Sequence, residues 1–417
     1  MQLTAEEQKI LNGERGDLLR KYLELLVGIG DCFDAACLIP VNSVHVPSVT
    51  ITTLGEGGRK LIRDIRDSGL QCRTYTTVNP MATDHSRRDR LGMAEDEYRI
   101  QCEVAENIRC NGASLCFSCT PYLIGNAPRF GESVAWGEVS AVIYANSVLG
   151  ARTNPEGALS AWASALLGRT PLYGLHLDEN RRGQYVIRVT AELKEPVEYG
   201  ALALFAGNAH PRLIPVFTGL PETTNQDCLK ALSAGLHLGS QARIFHAVGL
   251  TPEACTEEQA LGKQKPAEMI EFGQKELEST MAGLDTEPSA EVSWVVIGCP
   301  QCSLFELRQI AAILEGKKIS GNVELWVMTS HPVKAMAERM GLVGTIEKAG
   351  GKVIIDVCPE TMTGRMLRGV GHRTMTTNAT VFARSMGEYS APHIYDNHIH
   401  YGRLQRCIDA AVSGSWR

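Results

Sequence analysis

Apolar residues recur at helical spacing from the start of the chain. Leu11, Leu18, Leu19, Tyr22 and Leu26 fall on one face, so the first 26 residues predict an amphipathic helix. The period then shortens to two. In "CLIPVNSVHVPSV", Cys37 to Val49, apolar and polar positions alternate as far as Pro47, which predicts a strand running into a loop that exposes Ser43, His45 and Ser48. "GGRKLIRDIRDSG" returns to helical spacing and stops at Gly69, and "LQCRTYTTVNP" predicts a strand ending at Asn79 and Pro80. Helix and strand in alternation are the rhythm of an α/β layer fold. Glu132 to Asn154, within "GESVAWGEVSAVIYANSVLGARTN", is dense in small residues and predicts a helix packed closely beneath a site. "GQYVIRVTAEL", Gly183 to Leu193, is a strand by its β-branched alternation.

Charge rises over 251–290, as expected of an exposed helix and connector, and a domain boundary belongs there. The expected division is an N-terminal α/β region over 1–285, carrying a loop over 110–154 with the cysteines, and a C-terminal α/β domain over 286–417. In the second region strand "VSWVVIG", helix "SLFELRQIAAILEG", strand "VELWVMTS", helix "PVKAMAERMGLVGTIEKAG" and strand "GKVIIDVC" follow one another. That succession is a βαβαβ unit with a parallel sheet. Cys299 lies just past its first strand and Cys358 at the end of its third. Ligands of open α/β sheets bind outside the carboxyl ends of strands, so these two thiols can share one rim.

A chain of 417 residues buries a large core without disulfide staples. Its N-terminus carries charges throughout, unlike a signal peptide, and no apolar run approaches the ~18 residues of a membrane span. Thirteen cysteines in such a chain point to a reducing cytoplasmic setting, with thiols used in packing, as metal ligands or as nucleophiles. A net charge of −6 and a pI near 6.0, with acids and bases interspersed, provide no basic stripe for nucleic acid. Neither nucleic acid nor membrane is an expected partner; a small molecule is.

The cysteines carry the candidate chemistry. Cys116 pairs with Cys119 and Cys299 with Cys302 as C-x-x-C, the spacing of a zinc ribbon, though the two pairs lie far apart in sequence. "GCPQCS" also fits the local pattern of a thioredoxin-like redox motif, without that fold's flanking aromatic residues. Cys119, Cys299 and Cys358 share a further feature: each is followed by Pro or Thr-Pro, a turn that bares the sulfur. Three thiolates on an iron–sulfur cluster leave one iron without a protein ligand, and that iron is a Lewis acid for a substrate hydroxyl. Spacing leaves all three readings open.

"CTPYLIGNAPRFGESVAWGEVSAVIYANSVLGARTN" resembles the signature of the aconitase X family, as do "LIPVNSVHVPSV", "VIGCPQCSLFEL", "VIIDVC", "TMTTNA" and "YGRLQRCIDAAVSG", so the resemblance covers essentially the whole chain. It implies an aconitase-like fold of several α/β domains around a central cleft, and the catalytic large subunit of a hydro-lyase. The family's cluster cysteines map onto Cys119, Cys299 and Cys358, which would hold a [4Fe–4S] or [2Fe–2S] cluster; Cys302, Cys116 and Cys110 match no ligand position. Members dehydrate cis-3-hydroxy-L-proline, giving Δ1-pyrroline-2-carboxylate, or mevalonate 5-phosphate. A chain rich in Cys and Met tilts the expectation towards the first. The resemblance departs at Ser133 and Gln301, where the family has His, at Val139, where it has Ser, and at Ala379 and Thr380, where it has Ser-Ala/Gly-Lys after "TN". Those departures keep a non-catalytic metal-binding regulator as a reading of another class.

Loss of water from a 3-hydroxy acid removes a proton from the carbon beside the carboxylate and a hydroxide from the next carbon. Arg152 is the expected carboxylate clamp, with Asn154, Asn146 and Asn126 offering amides. His45 is placed to protonate the leaving hydroxide, oriented by Ser43 or Ser48. Glu132 and Glu138 are proton-carrier candidates, and Asn79 joins the substrate pocket. Thr329 and Ser330 precede a helix whose N-terminal amides suit an anion. The family's base is a serine on a mobile swivelling domain. The resemblance ends where this chain ends, so a small second subunit is expected to supply it.

Overall fold

The computed structural model describes residues 1–88, 91–362, 366, 374–388 and 399–417. The chain divides into two compact units, each drawn from separate stretches of sequence. One comprises Met1–Met81, Glu95–Gly183 and Arg243–Gly262; the other comprises Ala82–Ala94, Gln184–Ala242 and Lys263–Arg417.

The first unit opens with two helices, Ala5–Leu11 and Asp17–Cys32, where the apolar period suggests one. Thr4 and Glu7 form a capping box on the first. Gly13 and Gly16 then take φ of +83° and +96°, a region closed to most side chains, and break the helix without disturbing its apolar face. A three-stranded parallel sheet follows, in the order Tyr75–Val78, Ser43–Val46, Ala135–Trp136, with His45 level with Thr77 on one side and Trp136 on the other. Helix Ile51–Ser68 is capped by Thr50 and ends at Gly69, as expected. Val44, Val46, Val78, Ile62, Ile65 and Ile108 meet in the core with Trp162 of helix Ala158–Leu167. The central strand is buried at all four positions, Ser43 and His45 included. The expectation that these two side chains are exposed is therefore corrected: a parallel strand between two neighbours is covered on both faces, so alternation does not mark a solvent side.

In the second unit Tyr185–Val189 pairs in parallel with Pro215–Thr218 and Met269–Phe272. Helices Pro196–Ala209 and Gln226–Gly239 pack so closely that a Cβ on Gly235 would lie 2.3 Å from the Gly200 carbonyl oxygen. A five-stranded sheet follows in the order Lys352–Ile355, Glu324–Thr329, Trp294–Ile297, Met375–Thr377, Ile399–Tyr401, parallel throughout. The expected βαβαβ succession forms its first half. One predicted helix is again two, His331–Arg339 and Leu342–Ala349, divided at the left-handed Gly341. Cys299, Ser330 and Asp356 come just after the carboxyl ends of three adjacent strands.

Candidate active site

The first unit centres its polar residues on His45, which is fully buried. The imidazole Nδ1 lies 2.8 Å from the Thr77 hydroxyl oxygen. Asn126 Nδ2 donates to that oxygen at 2.8 Å and to the Val44 carbonyl at 3.3 Å. The Thr77 hydroxyl also lies 3.3 Å from the Val44 carbonyl, so it donates to Nδ1 or accepts from it according to the imidazole tautomer. His45 Nε2 has no partner, and neither has the buried Asn79 Oδ1. Trp136 donates from Nε1 to Ser43 Oγ at 3.1 Å, and its ring meets His45 edge-on at 5.9 Å. Ser48 is held at φ +63°, a conformation that costs a non-glycine residue about 1–3 kcal/mol and that folds retain mainly at functional sites.

Burial pushes the His45 imidazole down to about 3, and burial with Arg181 and Arg152 takes His176 down to about 4. Both are neutral at pH 7. The unfolded imidazoles titrate near 6.5, so the stability these two groups confer is complete above that pH. It is lost as pH falls towards 4 and 3, at up to ~1.4 kcal/mol per pH unit for each histidine. Urea unfolding between pH 6 and pH 4 is expected to show His45→Asn removing about one proton's share of that slope, whatever it does to stability at pH 7. An unchanged slope would mean that the folded imidazole is charged.

A second polar group surrounds Arg152. Its guanidinium donates to the His176 carbonyl at 2.9 Å and pairs with Asp178. Asn146 accepts from Thr153 N and Arg181, and donates to the Thr153 and Arg243 carbonyls, so its amide has no hydrogen bond left to offer. Asn154 binds Tyr173 O and Leu175 N. Glu138 is the N-cap of helix Val139–Ser147, accepting from Ala141 N at 2.5 Å and from Ser140. Glu132 accepts from Arg129 N at 2.8 Å. His176 was not legible as a site residue; its Nδ1 lies 3.3 Å from Ser133 Oγ and its buried Nε2 has no partner.

In the second unit the Thr329 hydroxyl donates to the Cys302 carbonyl at 2.8 Å, and Ser330 Oγ is buried without a partner. The His331 amide at the helix N-terminus donates to Asp356 Oδ1 at 3.0 Å, so a carboxylate of the chain already sits there. Burial, reinforced by the Asp84 carboxylate, pushes Asp356 up to about 7. Asp84 in turn accepts from Ile355 N at 3.2 Å. Neither aspartate carried a signal in the sequence.

The cysteines separate by backbone. Cys119, in the first unit, follows Phe117 at φ +42°; Cys299 and Cys358, in the second, follow Gly298 at +110° and Asp356 at +68°. None of the other ten has a left-handed residue at either of the two preceding positions. All three are partly exposed, whereas Cys116 and Cys302 are buried. At Gly298 a Cβ would lie 2.5 Å from the Met328 carbonyl oxygen, so the turn into Cys299 requires glycine. These are accessible sulfurs on constrained turns, which suits thiolate ligation of iron. Among the described residues no group of three His, Cys, Asp or Glu side chains forms a metal site by itself. A groove of about 960 Å³ within the second unit runs along helix Leu404–Ser413 and holds none of the expected residues; one of about 30 Å³ borders Cys299.

The chain matches the family models for the Aconitase X first domain over residues 1–179, second domain over 183–282 and third domain over 292–413. It belongs to the aconitase X family. It is similar to the phosphomevalonate dehydratase large subunit of Methanocaldococcus jannaschii, with 39% identity over 91% of this chain and 93% of that protein. It is also similar to the cis-3-hydroxy-L-proline dehydratase of Pseudomonas aeruginosa, with 31% identity over 99% of this chain and 70% of that protein. A crystal structure of aconitase X from Thermococcus kodakaraensis in its holo-form superimposes with a TM-score of 0.87 at 33% identity, covering 99% of this chain and 100% of that one. This aconitase X chain is accordingly a hydro-lyase with a mixed α/β fold, and the reading as a non-catalytic regulator is set aside. No helix among the described residues is long and apolar enough to cross a membrane.

Proposed function

We propose that this chain is the catalytic large subunit of an iron–sulfur dehydratase whose substrate is mevalonate 5-phosphate. The substrate assignment is carried by one observation. Relatives named phosphomevalonate dehydratase large subunit reach 35–39% identity over 91–100% of this chain and 93–98% of their own length. The relatives named cis-3-hydroxy-L-proline dehydratase are more distant, at 30–31% identity over 99% of the chain. Both compounds are 3-hydroxy carboxylates, and both lose the proton α to the carboxylate with the hydroxyl at the next carbon.

Cys119, Cys299 and Cys358 are the residues that would hold the cluster, of [4Fe–4S] or [2Fe–2S] type; when bound, it supplies a Lewis acid for the substrate hydroxyl. A left-handed residue within the two positions before each of these three cysteines, and before none of the other ten, supports that choice. In this reading the partnerless Nε2 of the neutral His45 hydrogen-bonds the departing oxygen, with the ring oriented through Nδ1 by Thr77. Asn126 shares the Thr77 hydroxyl with it, and Ser43 holds the indole of Trp136, whose ring meets the imidazole. Asn79 follows the neighbouring strand with its buried oxygen unpartnered, and the strained Ser48 follows the strand end. Burial of this group excludes bulk water and strengthens each hydrogen bond made there.

The chain, reconstituted anaerobically with iron and sulfide and supplied with its small subunit, is expected to dehydrate mevalonate 5-phosphate. The kcat/KM for that compound should exceed that for cis-3-hydroxy-L-proline by about 100-fold or more, since a site built for a phosphate leaves polar groups unpaired without one. Turnover of the proline alone would reverse the assignment of substrate.

A further inference from the structure

Behind the Cys299 turn lies a buried charge cluster that the dehydration chemistry does not use. Lys230, on helix Gln226–Gly239, has a side chain only 3% exposed. Its ammonium donates to the Gln301 carbonyl at 3.2 Å, pairs with Glu306 and lies 3.4 Å from Asp227. The same two carboxylates hold Ser303, two residues further on. Ser303 Oγ donates to Asp227 at 2.9 Å, and Ser303 N donates to Glu306 at 2.8 Å. Cys302 N donates to the Met328 carbonyl at 2.8 Å. Lys230, Cys299, Pro300, Glu306, Asn378 and Thr380 border one cavity of about 30 Å³. That is room for about one water.

We propose that Lys230 is a positioning residue for Cys299. Its ammonium ties helix Gln226–Gly239 to the middle of the turn, and it lets two carboxylates be buried where they hold Ser303. A buried lysine is costly unless it is paired and hydrogen-bonded, and here Gln301 belongs to the turn, Glu306 to the start of the helix after it and Asp227 to the lysine's own helix. Residues 301–303 are thereby fixed at successive polar atoms, and the sulfur two positions earlier is presented in one place. The role in holding iron rests on the ligand assignment above; the role in fixing the turn does not.

The test separates the two. In the metal-free reduced chain, alkylation of Cys299 and Cys358 by iodoacetamide is followed by mass spectrometry. The variants are Lys230→Met and the pair Lys230→Met with Glu306→Gln, which preserves the net charge of the cluster and leaves a side-chain oxygen to accept from Ser303 N. In the paired variant the rate ratio of Cys299 to Cys358 is expected to rise on the order of five-fold, the factor that one lost hydrogen bond of ordinary strength supplies. After reconstitution its iron should also be lost faster to a chelator than from the unsubstituted chain. A lowered melting temperature with an unchanged ratio overturns the proposal, because a merely stabilising lysine would do that. Should the unsubstituted chain bind no iron while the ratio still shifts, the ligand assignment fails and the positioning role stands.

Discussion

Serine at position 119, 299 or 358 is expected to strip iron from the chain and reduce dehydration to background, whereas serine at 116 or 302 leaves iron content unchanged. Thiolates are the soft ligands that iron–sulfur clusters require, and a serine hydroxyl neither ionises readily nor matches the iron. The three sulfurs are partly exposed on turns that each contain a left-handed residue, and such turns persist only where the surrounding structure over-determines them. Cys116 and Cys302 are buried; Cys116 lies 3.4 Å from the Val78 carbonyl, and Cys302 packs beneath the Gly298 turn. The decisive measurement is iron per chain, with the visible spectrum, after anaerobic reconstitution of each variant. Loss of iron from Cys302→Ser together with retention by Cys358→Ser would refute the assignment.

What the amino-acid pattern made legible follows from how local each signal is. Strands and helices from residue 292 to 358 were readable because each β run is bounded by turn residues and each helix carries one apolar face. The places of Cys299 and Cys358 beyond strand ends came with them. Helix breaks at Gly13, Gly16 and Gly341 were not readable, since the apolar period continues across them. The burial of His45 was misjudged because its neighbours on both sides come from distant segments, Tyr75–Val78 and Ala135–Trp136. Lys230 gave the same difficulty in stronger form. Asp227 stands one helical turn before it, but Glu306 and Gln301 are more than seventy residues away, and a lone lysine on a helix reads as solvated. The two units are likewise assembled from interleaved stretches, which no local pattern announces.

Turnover by this chain alone is expected to fall at least about a thousand-fold below that of its complex with a small subunit. Relatives that match nearly end to end are named large subunits, and this chain spans only 70% of the P. aeruginosa dehydratase, leaving the rest of that protein outside the match. The proposed division of labour is chemical. His45 Nε2 and the cluster cysteines serve the departing hydroxyl, and none of the groups assigned above takes the proton from the carbon beside the carboxylate. His45 is held neutral by burial, and its partnerless Nε2 is the atom proposed to face the leaving oxygen. A serine on a swivelling domain of the second subunit is the base in this proposal. Closure of that domain would orient the base and exclude water, effects that together supply several powers of ten in rate. Mixing the iron-loaded chain with purified small subunit should restore turnover and give a species of larger hydrodynamic size, with activity saturating as the two approach a fixed ratio. Full activity of the chain by itself would refute the proposal, and would require a base among its own residues.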